Sequence, residues 1–268
     1  MRDQSGRVRR IETVMGLPVS VDVRRCAGDI GPVVDLGFAW LRAVDERFSP
    51  FRMNSEACRW DRGELPLADL SQGMIEVLDI CADYERRSGG AFRSRLPGRS
   101  LDLCGVVKGW AVQHLAELLL ESGARHFCVN AGGDLVTVGE PEPGRAWSVG
   151  IRHPERADRM CAVLRPGDGA IATSGNYERG SHILDGRTGL PARGLRSMTV
   201  LAADLTTADV TATAAFAMGA DGIAWAAAQP GCLVFAVDDD RQVHRSPGLD
   251  ELLVQPENDG RSGWPGRS

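Results

Sequence analysis

Two residues four positions apart, Asp209 and Thr213 in Thr206-Thr207-Ala208-Asp209-Val210-Thr211-Ala212-Thr213, have types and spacing that could hold a metal ion. On a helix, positions i and i+4 project from one face, so this spacing stacks a carboxylate above a hydroxyl. Both are hard oxygen donors, suited to magnesium, which takes few protein ligands and completes its shell with water and phosphate oxygens. The same pattern also suits a helix start, where Thr and Asp side chains accept from free backbone N–H groups. Spacing alone leaves both uses open, with capping the commoner.

Three further segments carry polar side chains between glycines. Leu101-Asp102-Leu103-Cys104-Gly105-Val106-Val107-Lys108-Gly109-Trp110-Ala111 sets an acid, two glycines and a lysine just ahead of a long amphipathic pattern. Helix N-termini approached by flexible, donor-rich loops attract phosphate, and a lysine adds a point charge. A turn with a surface lysine explains the same residues, and the P-loop spacing is absent. Asn130-Ala131-Gly132-Gly133-Asp134 joins two strand-like runs, either as a tight turn or as a place of close backbone approach. Ala172-Thr173-Ser174-Gly175-Asn176-Tyr177 precedes Ser181-His182-Ile183-Leu184-Asp185-Gly186-Arg187-Thr188-Gly189, where His182 is a candidate proton acceptor near neutral pH. A lone histidine also serves to satisfy buried backbone groups.

These segments must be positioned by elements the sequence makes legible. Alternation of Val14, Val19, Val21 and Val23 predicts a strand or hairpin arm over 12–24. Helical spacing predicts helices over 32–47, 67–87 and 107–121, the second stopped by Gly89-Gly90 and the third by Gly123. Short alternating runs punctuated by Gly and Pro then predict strands over 127–130, 135–138, 147–152, 160–164, 170–173 and 197–202. Helices over 207–218 and 220–228 follow, and then a hairpin of 234–237 and 242–245 around Asp238-Asp239-Asp240. The short connections imply a mainly antiparallel sheet with packed helices, an α+β unit. Residues 1–11 are expected to be loose, 12–247 to form a single domain, and 248–268, rich in Gly, Pro and charge, to be a flexible tail.

A chain of 268 residues with 43% hydrophobic and 25% charged residues is ordinary for a folded protein. Its formal charge of -5 and pI near 5.6 disfavour nucleic acid and anionic membranes as partners. The charged stretch Met1–Arg10 lacks the ~7–15-residue apolar run of a secretion signal, and no uncharged stretch of ~18 residues suits a membrane span. Seven cysteines, Cys26, Cys58, Cys81, Cys104, Cys128, Cys161 and Cys232, are scattered with no CxxC pair. They read as reduced, mostly buried thiols, so the expected compartment is the cytoplasm.

In order and content, the polar segments resemble the ApbE family, the FAD:protein FMN transferases. The resemblance runs from Val14-Met15-Gly16 to the final hairpin and includes Ala208-Asp209 with Ala212-Thr213. It implies an ApbE/T-fold-like domain that binds FAD and magnesium and transfers FMN to a Thr or Ser hydroxyl of a target protein, releasing AMP. Carried over residue by residue, it implies Asp209 and Thr213 as metal side-chain ligands and Gly105 as a carbonyl ligand. It implies Met15, Phe51, Ala91, Phe92, Asp102, Lys108 and Ile183 as FAD contacts, with Phe51 in the place of a tyrosine that stacks on adenine. His182 matches the reactive histidine.

The chain departs from the family pattern at Leu17-Pro18, at Arg93, where aspartate is usual, and at Ala212, which replaces an acid. The segment from Ser94 to Ser100 and the loop between Tyr177 and Ser181 are also short. Two other functions use the same residues: a magnesium-dependent FAD pyrophosphatase giving FMN and AMP, and a non-catalytic FAD-binding protein.

Overall fold

The computed structural model describes residues 7–176 and 182–254. The chain opens with a hairpin of β1 (Val8–Val14) and β2 (Leu17–Val23), followed by helices α1 (Gly31–Phe48), α2 (Glu56–Asp61), α3 (Gln72–Arg87) and α4 (Cys104–Glu121). Seven strands come next: β3 (Phe127–Ala131), β4 (Asp134–Val138), β5 (Val149–Arg152), β6 (Met160–Leu164), β7 (Gly169–Gly175), β8 (Leu184–Asp185) and β9 (Leu190–Pro191). The last elements are β10 (Leu195–Ala202), α5 (Leu205–Met218), α6 (Asp221–Ala227), β11 (Leu233–Asp238) and β12 (Val243–Arg245).

Eight strands form one sheet in the order β1-β2-β3-β4-β7-β10-β11-β12, with every neighbouring pair antiparallel. Period-2 alternation sends successive side chains to opposite faces, and this sheet is covered on both. From β7, β10 and β11, Ala172, Met198, Val200, Val234 and Ala236 turn toward the helices. Their alternates Ile171, Leu201, Phe235 and Val237 pack instead with Val149, Ile151 and Leu164 of the β5–β6 hairpin and with Leu249. The architecture is the α+β arrangement the sequence implies.

Local chemistry fixes the element ends. Val34, Phe38, Leu41 and Val44 recur at helical spacing and are buried, making the inner face of α1. Ser71 caps α3 by accepting from the Met74 N–H at 3.2 Å. The helix expected from Leu67 therefore begins at Gln72, and Leu67–Asp69 is a separate 3-10 turn. The β1–β2 turn, Met15-Gly16, has positive φ at both residues, 54° and 73°, the geometry that matches the strands' twist. Two elements carried no readable pattern: α2, a short helix capped by Ser55, and the two-residue strands of β8–β9.

Pairing also reaches beyond the expected loose ends. β1 starts at Val8, because residues 8–11 have the partners Val23, Asp22, Val21 and Ser20 on β2. Past the expected domain end, Pro247–Glu251 form a 3-10 helix with Leu249 fully buried, and Leu253 bridges to Leu164. Residues 255–268 lie outside the described residues.

Among the described residues no helix is long and apolar enough to cross a membrane. The seven cysteines are not joined in disulfides, but only Cys81 and Cys232 are buried, and Cys104 is exposed. Burial pushes the Cys81 and Cys128 thiols up to about 12. A maleimide should therefore label Cys104 first and Cys81 and Cys128 last near pH ~8, since the thiolate is the reactive form; peptide mapping of a labelling time course reads the order. Phe38, with no exposed surface, anchors α1. Phe38→Ala should cost about 3–5 kcal/mol, measured by chemical denaturation.

Candidate active site

Helices α4 and α5 run antiparallel and very close, and glycine permits the approach. A Cβ on Gly109 would lie 2.7 Å from Asp209 Cβ and 2.8 Å from the Leu205 carbonyl oxygen. One turn earlier, a Cβ on Gly105 would lie 3.2 Å from Thr213 Cγ2 and 3.0 Å from the Phe92 ring. Gly105 and Gly109 thus form a smooth stripe on α4 against which Asp209 and Thr213 lie as an i, i+4 pair.

The polar atoms along this seam are bonded to one another. Asp209 is 2% exposed, and its Oδ2 accepts the Gly109 N–H at 2.9 Å. Its Oδ1 lies 3.2 Å from Lys108 Nζ. The same ammonium is ion-paired with Asp134 Oδ2, and the other Asp134 oxygen accepts the Thr173 N–H at 2.9 Å. Thr213 Oγ1 lies 3.2 Å from Ser174 Oγ on β7. Asp209 is not the helix cap: Asp204 caps α5, accepting from the Thr207 N–H at 2.8 Å. That removes the commoner explanation for the Asp209/Thr213 pair.

Burial pushes the Asp209 carboxyl above the ordinary carboxylate range and the Asp134 charge adds to it, while Lys108 and the Gly109 N–H pull the other way. For Lys108, burial alone would favour the neutral amine, but the two flanking carboxylates outweigh it and hold the proton more firmly. The seam therefore carries two acids against one fixed cation, an electrostatic setting that welcomes further positive charge.

Among the described residues no three His, Cys, Asp or Glu side chains converge as a metal cluster. Asp209 and Thr213 lie along one face of α5 beside Gly105, and a carboxylate, a hydroxyl and a backbone carbonyl are oxygen donors that fit magnesium with phosphate oxygens and suit zinc poorly. Asn176 Oδ1, at the end of β7 past Ser174, is a buried acceptor without a hydrogen-bond partner among the described residues.

The other expected contacts fall into three groups. Met15 sits in the β1–β2 turn, beside the β3–β4 turn that leads to Asp134, since Gly132 N–H donates to the Pro18 carbonyl at 3.0 Å. Asp102 is exposed at the head of α4 and accepts the Cys104 N–H at 2.9 Å. Ala91 and Phe92 are buried and their backbones already engaged: Ala91 O accepts from Gly186 N at 2.8 Å and Phe92 N donates to Ser88 Oγ at 3.0 Å. They shape the wall with little side chain to offer a ligand.

Ile183 joins Ala91 and Ala212 in one apolar cluster, which seats the β8–β9 hairpin against α5. Phe51 is 93% exposed in the α1–α2 connection, its ring face open. His182 is exposed at the lead into β8, one residue from Ile183, and residues 177–181 before it lie outside the described residues. Asp134, Thr173 and Ser174, which the sequence offers only as parts of longer motifs, belong to the seam as well. The available signal for Asp134 was an acid placed directly after a Gly-Gly hairpin turn.

The fold and this seam define a member of one protein class. The sequence profile of the ApbE family matches residues 93–235, and the chain belongs to that family. It is 35% identical over 198 residues to the FAD:protein FMN transferase of Rhodobacter capsulatus, covering 70% of this chain and 36% of the relative. With the enzyme of that name from Salmonella typhimurium it is 30% identical over 248 residues, 88% of this chain and 61% of the relative. The chain thus spans under two thirds of the length of these curated relatives. In fold it is similar to the flavin transferase ApbE from Vibrio cholerae, with TM-score 0.80 and 24% identity over 92% of this chain and 99% of that one. The ApbE protein of Thermotoga maritima gives TM-score 0.80 and 22% identity, over 93% and 100%.

The raised Asp209 carboxyl makes a signed pH prediction. Above its ordinary value of 3.8 the folded state keeps a proton that the unfolded state has released, so stability falls as pH rises through that window. Asp209→Asn lacks this term, so its thermal midpoint should drop less than the wild type's between about pH 5 and about pH 8. Parallel melting profiles for the two proteins would refute the assignment.

Proposed function

We propose that this chain is a magnesium-dependent FAD:protein FMN transferase, joining FMN to a Thr or Ser hydroxyl of an acceptor protein and releasing AMP. The observation that carries the reading is the α4–α5 seam, in which Lys108 meets the buried Asp209 while Thr213 lies one turn on, against Gly105. Family membership and the names of the relatives support it.

Asp209, Thr213 and the Gly105 carbonyl are the residues that would hold magnesium, which supplies neutralisation of charge on the pyrophosphate oxygens. Lys108 binds a phosphate oxygen as a fixed point charge, and the exposed head of α4 near Asp102 directs backbone N–H groups toward anions. Met15 and the wall of Ala91, Phe92 and Ile183 border the flavin part. The open face of Phe51 stacks on adenine.

In the reaction, the acceptor oxygen forms a bond to the FMN phosphorus while the bond from that phosphorus to the bridging oxygen breaks. The bridging oxygen leaves with AMP. His182 takes the proton of the incoming hydroxyl, and alignment of that hydroxyl with the leaving group supplies much of the rate.

Incubation with FAD, magnesium and a family-type acceptor should add the mass of FMN to one Thr or Ser, with equimolar AMP. His182→Ala should slow transfer roughly 100- to 10,000-fold while FAD is retained. FMN and AMP formed equally fast without acceptor would instead identify a pyrophosphatase, and FAD retained without turnover across several acceptors would identify a binding protein.

A further inference from the structure

Asp134 is the second acid of the seam, and the transfer mechanism gives it no part. It opens β4 directly after Gly132-Gly133, with Ala131 as its cross-strand partner, so its backbone is fixed by the hairpin register. Its side chain is 4% exposed. One carboxylate oxygen is held by the Thr173 N–H of β7 at 2.9 Å, and the other faces the Lys108 ammonium. With one oxygen tied to the sheet backbone, the carboxylate cannot swing away from the lysine. The lysine stem is flexible by itself, and the Lys108 ammonium is held in place by the two carboxylates it meets. Its second contact, 3.2 Å away, is Asp209 Oδ1.

We infer that Asp134 is a positioning residue that gives the Lys108 ammonium a second partner, so that a divalent cation can take its place on the Asp209 carboxylate. The inference rests on the metal-dependent reading above. The ammonium and a divalent cation compete for the same Asp209 oxygens, because both are satisfied by the same negative charge. With Asp134 anchored by the Thr173 N–H, Lys108 has a resting partner when the cation occupies Asp209. Without that partner the ammonium has Asp209 as its one remaining carboxylate among the described residues, and the lysine closes the metal position. Asp134 therefore acts through Lys108, without itself being one of the proposed ligands.

The test reads cation binding directly, by electron paramagnetic resonance titration of Mn2+ with FAD present. Asp134→Asn, close in shape but uncharged, should weaken Mn2+ binding about tenfold or more, the usual scale for partners of ligand-orienting groups. Lys108→Met, which removes both the competitor and its phosphate contact, is the background for a second comparison: adding Asp134→Asn to it should weaken Mn2+ binding no further. Should Asp134→Asn not fold, Asp134→Glu, which moves the charge by one methylene, is titrated in its place with the same expected direction.

A folded Asp134 variant with a lowered melting temperature and wild-type Mn2+ affinity would show a purely structural tie and overturn the inference alone. Further weakening of about tenfold when Asp134→Asn is added to Lys108→Met would overturn it too, because the loss would not pass through Lys108. Absence of Mn2+ binding by the wild type with FAD present would overturn the metal reading, and this inference with it.

Discussion

The contact on which the rest of the molecule depends is the close antiparallel approach of α4 and α5. Two glycines one turn apart bring the α4 backbone onto the side chains of Asp209 and Thr213, at distances a Cβ would forbid. This closeness lets a backbone N–H, that of Gly109, reach a carboxylate on another helix. It also places Lys108, next in sequence to that glycine, within 3.2 Å of the same carboxylate. Packing and chemistry are therefore one constraint here: an alanine at Gly109 would separate the helices and uncouple the charges together.

Helix α5 shows how such a seam is accommodated in a core. It is apolar on nearly every side, as expected of a helix enclosed between a sheet and other helices. Its buried polar side chains would be costly unless satisfied. These and the half-buried Thr213 each find a partner on a different element: Thr211 pairs with the Tyr84 hydroxyl of α3 at 2.9 Å, Asp209 with α4, and Thr213 with Ser174 of β7. The helix is fixed in rotation by three polar contacts in three directions, which apolar packing alone would leave less defined. A site built on rigid elements in this way keeps its donors within the narrow tolerances that phosphoryl chemistry demands.

What could be read from the sequence follows the length and strength of each pattern. The long helices and the inner strands announce themselves by period, because each buries a continuous face. The six residues of α2 and the two-residue strands β8 and β9 are too short for periodicity and are set by capping and by tertiary contact. The start of β1 was hidden by Arg9 and Arg10, charges suited to the exposed edge of a sheet. For the site, spacing alone could not separate a cap from a metal pair, since both require oxygen at a helix face. Asp204 resolves this by taking the capping role itself. Asp134 was unreadable for a different reason: its partners Lys108 and Thr173 are distant in sequence and meet it through the register of β3, β4 and β7.

The departures from the family pattern gain a physical meaning in the same terms. Arg93, standing where an acid is usual, has its guanidinium 3.2 Å from Glu85. It also lies against Gly90 and Gly186, where a Cβ would meet its side chain at 3.2 and 2.8 Å. It thus joins α3 to the β8–β9 hairpin. The short segment after it is closed by the Asp102 N–H donating to the Ser94 carbonyl at 2.7 Å and tied to α2 by Arg95 and Asp61 at 2.7 Å. A short strap held at both ends delivers Asp102 to the head of α4 as firmly as a longer, self-packed segment would. Arg93, Arg95 and Asp61 lie outside the α4–α5 seam, whose contacts do not draw on any of them.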